Sequence, residues 1–269
     1  RGLGDVYKRQ VFQDSRGYIW LGTQGGLDRF NGYEFKHYEH ESNDSTSIVN
    51  GWIRAINEDE DGLLWLGTVG GNLGWFDPYD EIGGEIDLFA DHPDFDRPGY
   101  IYDILFHGDY IFLTTLGSGL CRYNRKDGST LWYSSDSTSK HYIKDRVFTN
   151  VYSIDEDKIL LGDRSIIILN TETNEHVEPY NELIEKEIGV PFDSIKVSSI
   201  TQTNDRKILI GTWSDHGLII LDTEKKVVSQ FFPLAPDSDS GKIPRTMIGE
   251  ITIDKFNKLW TVSYTHLRA

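Results

Sequence analysis

The chain has 269 residues, 43 of them acidic against 27 basic, and a formal net charge of −16. Polyanions are held through clustered Lys and Arg, and no such cluster is present, so neither nucleic acid nor an anionic membrane is an expected partner. The one cysteine, Cys121, allows neither an internal disulfide nor a thiolate metal site, and its apolar run Gly119-Leu-Cys-Arg-Tyr123 predicts a buried strand residue.

In chain order, one short pattern returns down the whole sequence. It opens as Gly17-Tyr-Ile-Trp-Leu-Gly-Thr23 with Gly26-Leu-Asp-Arg-Phe-Asn31. It recurs as Gly62-Leu-Leu-Trp-Leu-Gly-Thr68 with Leu73-Gly-Trp-Phe-Asp77, then as Tyr110-Ile-Phe-Leu-Thr-Thr115 with Gly119 to Asn124. Fainter copies follow at Lys158 to Gly162 with Ile166 to Asn170, and at Lys207 to Thr212 with Gly217 to Asp222; a sixth starts at Lys258-Leu-Trp260. The aligned positions Trp20, Trp65, Phe112, Leu160, Leu209 and Trp260 lie roughly 45–50 residues apart, which is the length of a propeller blade.

Each unit reads as four short strands. The first carries an Ile or Val pattern, as in Ile53 to Ile56, Ile101 to Ile104 and Val151 to Ile154. A tight turn such as Asp59-Glu-Asp-Gly62 leads to a second strand that is apolar on both faces, as stacking between blades requires. Gly22, Gly67, Gly162 and Gly211 leave room there for a neighbouring backbone or ring. The third strand ends in Asn31, Asp77, Asn124, Asn170 or Asp222, residue types that start a turn through their own side chain. An aromatic or β-branched fourth strand follows, as in Phe35 to Tyr38, Leu131 to Tyr133 and Val227-Val228. The helical crossovers of a doubly wound fold are missing; the one helix candidate is Glu182 to Ile188, inserted in a loop. The reading is an all-β propeller of four-stranded antiparallel blades, five plus part of a sixth, with units at about 11–50, 51–99, 100–146, 147–194, 195–246 and 247–261.

The string Gln13-Asp-Ser-Arg-Gly-Tyr-Ile-Trp-Leu-Gly-Thr-Gln-Gly-Gly-Leu-Asp-Arg-Phe-Asn-Gly32 and the linker Asp44-Ser-Thr-Ser-Ile-Val-Asn50 resemble the two-component regulator propeller repeat of periplasmic sensor regions in Bacteroidetes hybrid two-component histidine kinases. The resemblance implies a ligand-sensing receptor segment outside the inner membrane, an oligosaccharide as the small-molecule ligand, a homodimeric parent and a kinase that is not in these residues. It also implies a seven-bladed ring, of which this chain would be a fragment. Residues 1–10 and 262–269 resemble translated sequencing-adapter sequence and are expected to be non-native. Asp5 to Gln10 occupies the place of the first strand of the first blade without its pattern. A partial ring leaves a blade without a stacking neighbour, so aggregation or marginal folding is expected.

Long connections run over Glu39–Gly51, Ala90–Gly99, Ser134–Asp145, Pro179–Asp193 and Pro233–Arg245. In a propeller they share a face with the turns between second and third strands, and long loops on a rigid scaffold are the usual place for function. On that face the candidate ligand-binding residues are Trp52, Arg54, Tyr100, Tyr102, His141, Tyr142, Arg146, Trp213, Asp215, His216 and Arg245. Aromatic rings stack on sugar faces, while Arg, Asp and His supply oriented polar contacts. The alternatives are packing between blades for the aromatics, and a propeller lyase or hydrolase or a protein-interaction scaffold for the whole.

No catalytic residue, metal or cofactor is expected. The acidic turns at Asp59 and Asp155 lack calcium-loop spacing, no two histidines have zinc-ligand spacing, and His37 and His107 read as surface residues. The stretches Gly22 to Gly26 and Gly67 to Gly71 lack the Gly-Lys-Ser/Thr ending and a following helix, so they read as turns rather than phosphate cradles.

Overall fold

A strand apolar on both faces must be covered on both, and that requirement organises the chain. The computed structural model describes residues 10–49, 51–92, 97–214, 216–231, 247–253 and 258–263. Contacts divide it into two units, residues 1–147 and 148–269, which are taken in turn.

The first unit holds three four-stranded antiparallel sheets, each in the order of its chain. The first is β1 (Gln10–Gln13), β2 (Ile19–Thr23), β3 (Gly26–Phe30) and β4 (Phe35–Tyr38). The second is β5 (Ile53–Glu58), β6 (Leu64–Thr68), β7 (Leu73–Asp77) and β8 (Ile82–Ile86). The third is β9 (Ile101–His107), β10 (Tyr110–Thr115), β11 (Leu120–Asn124) and β12 (Thr130–Tyr133). The second unit continues with β13 (Asn150–Asp155), β14 (Lys158–Gly162), β15 (Ile166–Asn170) and β16 (His176–Val177). After helix α1 (Asn181–Ile188) come β17 (Val197–Gln202), β18 (Lys207–Thr212), β19 (Leu218–Asp222) and β20 (Val227–Phe231), then the two-stranded sheet of β21 (Ile248–Ile253) and β22 (Leu259–Ser263). The first strand of the first sheet lies at Gln10–Gln13, in register with Ile19–Gly22. Paired strands thus begin one residue before, and end two residues after, the 11–261 span read from sequence. Residues 1–9 and 264–269 lie outside the described residues.

Sheets stack through the second-strand glycines. A Cβ on Gly22 would sit 2.8 Å from Ile53 O, and one on Gly67 would sit 2.6 Å from Ile101 Cγ2. Gly211 would meet Ser198 Oγ at 2.8 Å and Ile248 Cγ2 at 3.0 Å. The space is filled by the aliphatic residue that opens the next sheet's first strand; no aromatic ring is needed there. All five residues of β6 are buried.

Repeated side chains close the turns. In the first two sheets, Asp14 Oδ1 accepts from Arg16 N and Tyr18 N and its Oδ2 from Trp20 Nε1 at 2.8 Å, while Asp59 does the same for Asp61 N, Leu63 N and Trp65 Nε1 at 2.9 Å. The Thr that ends the second strand donates across the next turn: Thr23 to Gly26 O, Thr68 to Asn72 O, Thr115 to Gly119 O and Thr212 to Gly217 O, at 2.8–3.0 Å. The Asn or Asp that ends or directly follows each third strand accepts from the turn beyond it, as at Asp77 with Tyr79 N and Asn170 with Thr173 N. These hydroxyl and carboxylate bonds account for the glycine-rich stretches as turns. Asp157 likewise accepts from Asn170 Nδ2 at 2.7 Å and pairs with Lys158.

The first strand of each sheet is an edge, and polar side chains of the adjacent sheet bond it. Gln10 Oε1 accepts from Ile56 N, and Asn57 Nδ2 donates to Ile104 O at 2.8 Å. In the second unit Asn150 Nδ2 donates to Ser198 O, Ser198 Oγ to Ile248 O, and Ser199 Oγ accepts from Ile251 N.

Two expectations need correction or extension. His107 is buried, 8% exposed, with its ring edge-on to Phe112, because the turn after β9 is only Gly108-Asp109 and keeps the strand end under cover. His37 is exposed, with Nδ1 2.5 Å from Asp28 Oδ1. Helix α1 is where the sequence placed it, yet it is not a loose insertion: Ile184 is fully buried in a cluster with Phe192, Ile195, Leu160 and Ile210. Cys121 is buried, and desolvation pushes its thiol well above the usual range.

Candidate functional site

The turns between second and third strands meet the starts of the following first strands, so the two loop sets do share a rim. Gly70 N donates to Gly99 O at 2.8 Å, Gly117 N to Arg146 O at 3.0 Å, and Val197 N to Asp163 O at 2.9 Å.

On that rim the alternation of β5 buries Ile53 and Ala55 and sets Arg54 on the other side. In β9, Ile101 is buried between Tyr100 and Tyr102. The result brings three candidates together from two sheets: the Arg54 guanidinium carbon lies 5.0 Å from the Tyr100 ring centre and 4.3 Å from that of Tyr102. The two rings stand 5.9 Å apart at 57°. Trp52 precedes the same strand, half-buried, its carbonyl accepting from Val69 N. A guanidinium held over two ring faces is restrained in orientation, at a gain of about 0.5–2 kcal/mol per contact.

Each of the other described candidates has its own local contacts. Arg146 is exposed and holds a turn: its Nε donates to Gly117 O at 3.1 Å, and its own carbonyl accepts from Gly117 N and Gly119 N. His141 and Tyr142 belong to the segment after β12, where Tyr142 bridges Ser134 and His141 stands edge-on to Tyr133, 5.9 Å away. Burial, with Lys140 and Arg122 nearby, lowers the His141 pKa and favours the neutral ring. In the second unit, Trp213 is 41% exposed with its backbone N–H donating to Lys196 O, and His216 follows in the same turn with its carbonyl accepting from Gln230 Nε2. Asp215 and Arg245 lie outside the described residues.

Residue type alone overlooked part of the rim. Trp52 and Tyr100 each stand immediately before the buried aliphatic that opens a first strand, Ile53 and Ile101. The same phase falls on Lys196 before Val197 and on Met247 before Ile248. Counting repeat phase, rather than looking for aromatics in long loops, finds them.

A cavity of about 510 Å³ opens between β18–β20 and β21–β22, with Leu209, Ile220, Ile253 and Leu259 in its lining and Lys207 and Asp222 among its polar groups. It includes Thr203 and Asp205 from the turn before β18, at the opposite end of that strand from Trp213. It is therefore separate from the rim. Among the described residues no helix is long and apolar enough to cross a membrane.

Residues 2–25 and 47–70 match the family model of the two component regulator propeller. A stretch of 47 residues is 43% identical to part of histidine kinase P4 of Formosa agariphila, covering 18% of this chain and 3% of that protein. Among solved structures, an extracellular domain ascribed to a hybrid two component system of B. thetaiotaomicron is 17% identical with a TM-score of 0.63, covering 98% of this chain and 39% of that one. A second such domain from B. thetaiotaomicron, ascribed to a one component system, is 18% identical with a TM-score of 0.61, covering 97% and 38%. An inactive virginiamycin B lyase from Staphylococcus aureus is 15% identical with a TM-score of 0.68, covering 98% and 80%. The chain spans about two fifths of the Bacteroides domains it resembles. At these identities the structural likeness establishes the β-propeller fold.

Proposed function

We propose that this chain, which carries two-component regulator propeller repeats, is a ligand-sensing part of a periplasmic receptor region. In this reading it catalyses no reaction on its ligand, binds an oligosaccharide, and reports to a histidine kinase in the same polypeptide, with the parent acting as a dimer. The observation that supports a binding role is the Arg54–Tyr100–Tyr102 cluster beside Trp52, which offers ring faces and an oriented cation at the edge of a rigid scaffold. Resemblance to extracellular domains of two component systems supports the compartment and the signalling context.

Calorimetric titration of the chain against a panel of neutral and uronic oligosaccharides tests this. Saturable binding that Arg54→Ala and Tyr102→Ala each weaken by about tenfold or more is the expected result. Absence of binding to every glycan in the panel would sink the reading, and cleaved glycan recovered from the cell would point instead to a propeller enzyme.

A further inference from the structure

The turn between β3 and β4 differs from its equivalents in the residue that follows its asparagine. Of the five residues that end third strands, Asn31 alone is followed by glycine; Asp77, Asn124, Asn170 and Asp222 precede Pro78, Arg125, Thr171 and Thr223. Asn31 Oδ1 accepts from two backbone donors, Tyr33 N and Glu34 N, both at 2.9 Å. Those donors polarise the side-chain carbonyl and face the oxygen on which charge would build if a nucleophile attacked Cγ, which is the arrangement of an oxyanion hole. The nucleophile available is the backbone nitrogen of Gly32.

Three further features expose that nitrogen. Residues 31–37 are exposed, and a Cβ at Gly32 would meet nothing within 4 Å, so no side chain shields the amide. Gly32 sits at φ +97, in the region open chiefly to glycine, which can leave it for the attack geometry at little cost. At the two other asparagines the following amide is occupied: Arg125 N donates to Asp109 O at 3.1 Å and Thr171 N to Asp157 O at 2.8 Å. Among the described residues Gly32 N has no bond of this kind. Asn170 has the same two-donor acceptor geometry, through Glu172 N and Thr173 N, but its following amide is engaged and Thr171 is buried.

We propose that Asn31 is a self-modifying site that deamidates through a cyclic imide. The Gly32 amide loses its proton to solvent base, its nitrogen bonds to Asn31 Cγ, and the Cγ–Nδ2 bond breaks with release of ammonia. Water then opens the imide at either carbonyl, giving aspartate or isoaspartate at position 31. The aspartate product matches a state the fold already uses, since Asp77 accepts from Tyr79 N and Asp80 N in the same turn. The isoaspartate product lengthens the backbone by one methylene ahead of β4, which carries Lys36 and Tyr38, the residues that bond Glu81 of the adjacent sheet.

The test is peptide mapping of the full chain after timed incubation in mildly alkaline buffer, reading the gain of about 1 Da at each asparagine and resolving the two isomers chromatographically. Asn31 is expected to convert at least about tenfold faster than Asn124 and Asn170, with both isomers present, and Asn31→Asp is expected to melt with the parent. Asn50-Gly51 carries the same dipeptide, with Asn50 outside the described residues. Conversion at Asn50 alone, or conversion at Asn31 no faster than at Asn124 and Asn170, would overturn the proposal.

Discussion

The two units solve one packing problem with different materials. Between the first two sheets the seam is aromatic: Trp20 meets Phe76 edge-on at 5.9 Å, Tyr38 lies 4.8 Å from Phe76, and Arg29 reaches over the rings of Tyr18, Trp20 and Tyr38. Where Trp20 and Trp65 stand, the second unit has Leu160, set among Ile200, Ile208, Ile210 and Ile219, and Leu209, set among Leu218, Ile248 and Ile251. The smaller side chains are supplemented by the segment carrying α1, which adds Ile184, Phe192 and Ile195 to the cluster. The clasp changes with the ring. Asp14 and Asp59 each bind an indole N–H, whereas Thr203, at the equivalent turn of the fifth sheet, accepts from Lys207 N at 3.0 Å and donates its hydroxyl to Asp205 within the turn. The repeat fixes where a seam must be filled and leaves open how.

If that contrast is right, substitutions should act on one unit at a time. Ile184→Ala removes a fully buried side chain from the helical plug and is expected to cost about 3 kcal/mol. Hydrogen exchange should show lost protection within residues 148–231 and unchanged protection in 10–147; a uniform loss would break the comparison. Asp59→Ala strands two backbone donors and the Trp65 indole and is expected to cost about 2–3 kcal/mol, against about 1 kcal/mol for Thr203→Ala. Chemical denaturation followed by tryptophan fluorescence would measure both, and equal costs would mean the clasp is no stronger than a hydroxyl.

The smallest effect concerns pH. Glu81 is held below the usual carboxylate range by hydrogen bonds from Lys36 and Tyr38, with Arg29 nearby. A depressed folded-state pKa gives stability that is present above the unfolded value near 4.5 and is lost as pH falls through the folded value. The side chain is about a third exposed, so the contribution is expected to stay below about 1 kcal/mol. Glu81→Gln should flatten the acid limb of the first unit's melting curve by that amount and leave the second unit's unchanged.

Strand order, the stacking glycines and the Asn or Asp turn starters were legible in sequence because they depend on spacing within one repeat. The indole clasp was equally open to reading, since Asp14–Trp20 and Asp59–Trp65 share one spacing. What sequence withheld was convergence across repeats. Arg54 meets Tyr100 and Tyr102 only because adjacent sheets set their first strands side by side, and no local pattern encodes that offset. Arg146, the same residue type but outside any strand, instead binds Gly117 O. His107 was misplaced for a related reason: its cover comes from a shortened turn and from Phe112.

The polar side chains that bond the first, edge strand of the neighbouring sheet carry a further consequence. Gln10, Asn57, Asn150, Ser198 and Ser199 join neighbouring sheets as donor and acceptor partners, so each blade carries half of a junction whose other half lies in the next. Coupling of that kind is local, and duplication or loss of a whole blade is compatible with it wherever the two new neighbours present matching halves. Copy number is then free to drift over evolution, while the grammar of each junction is not.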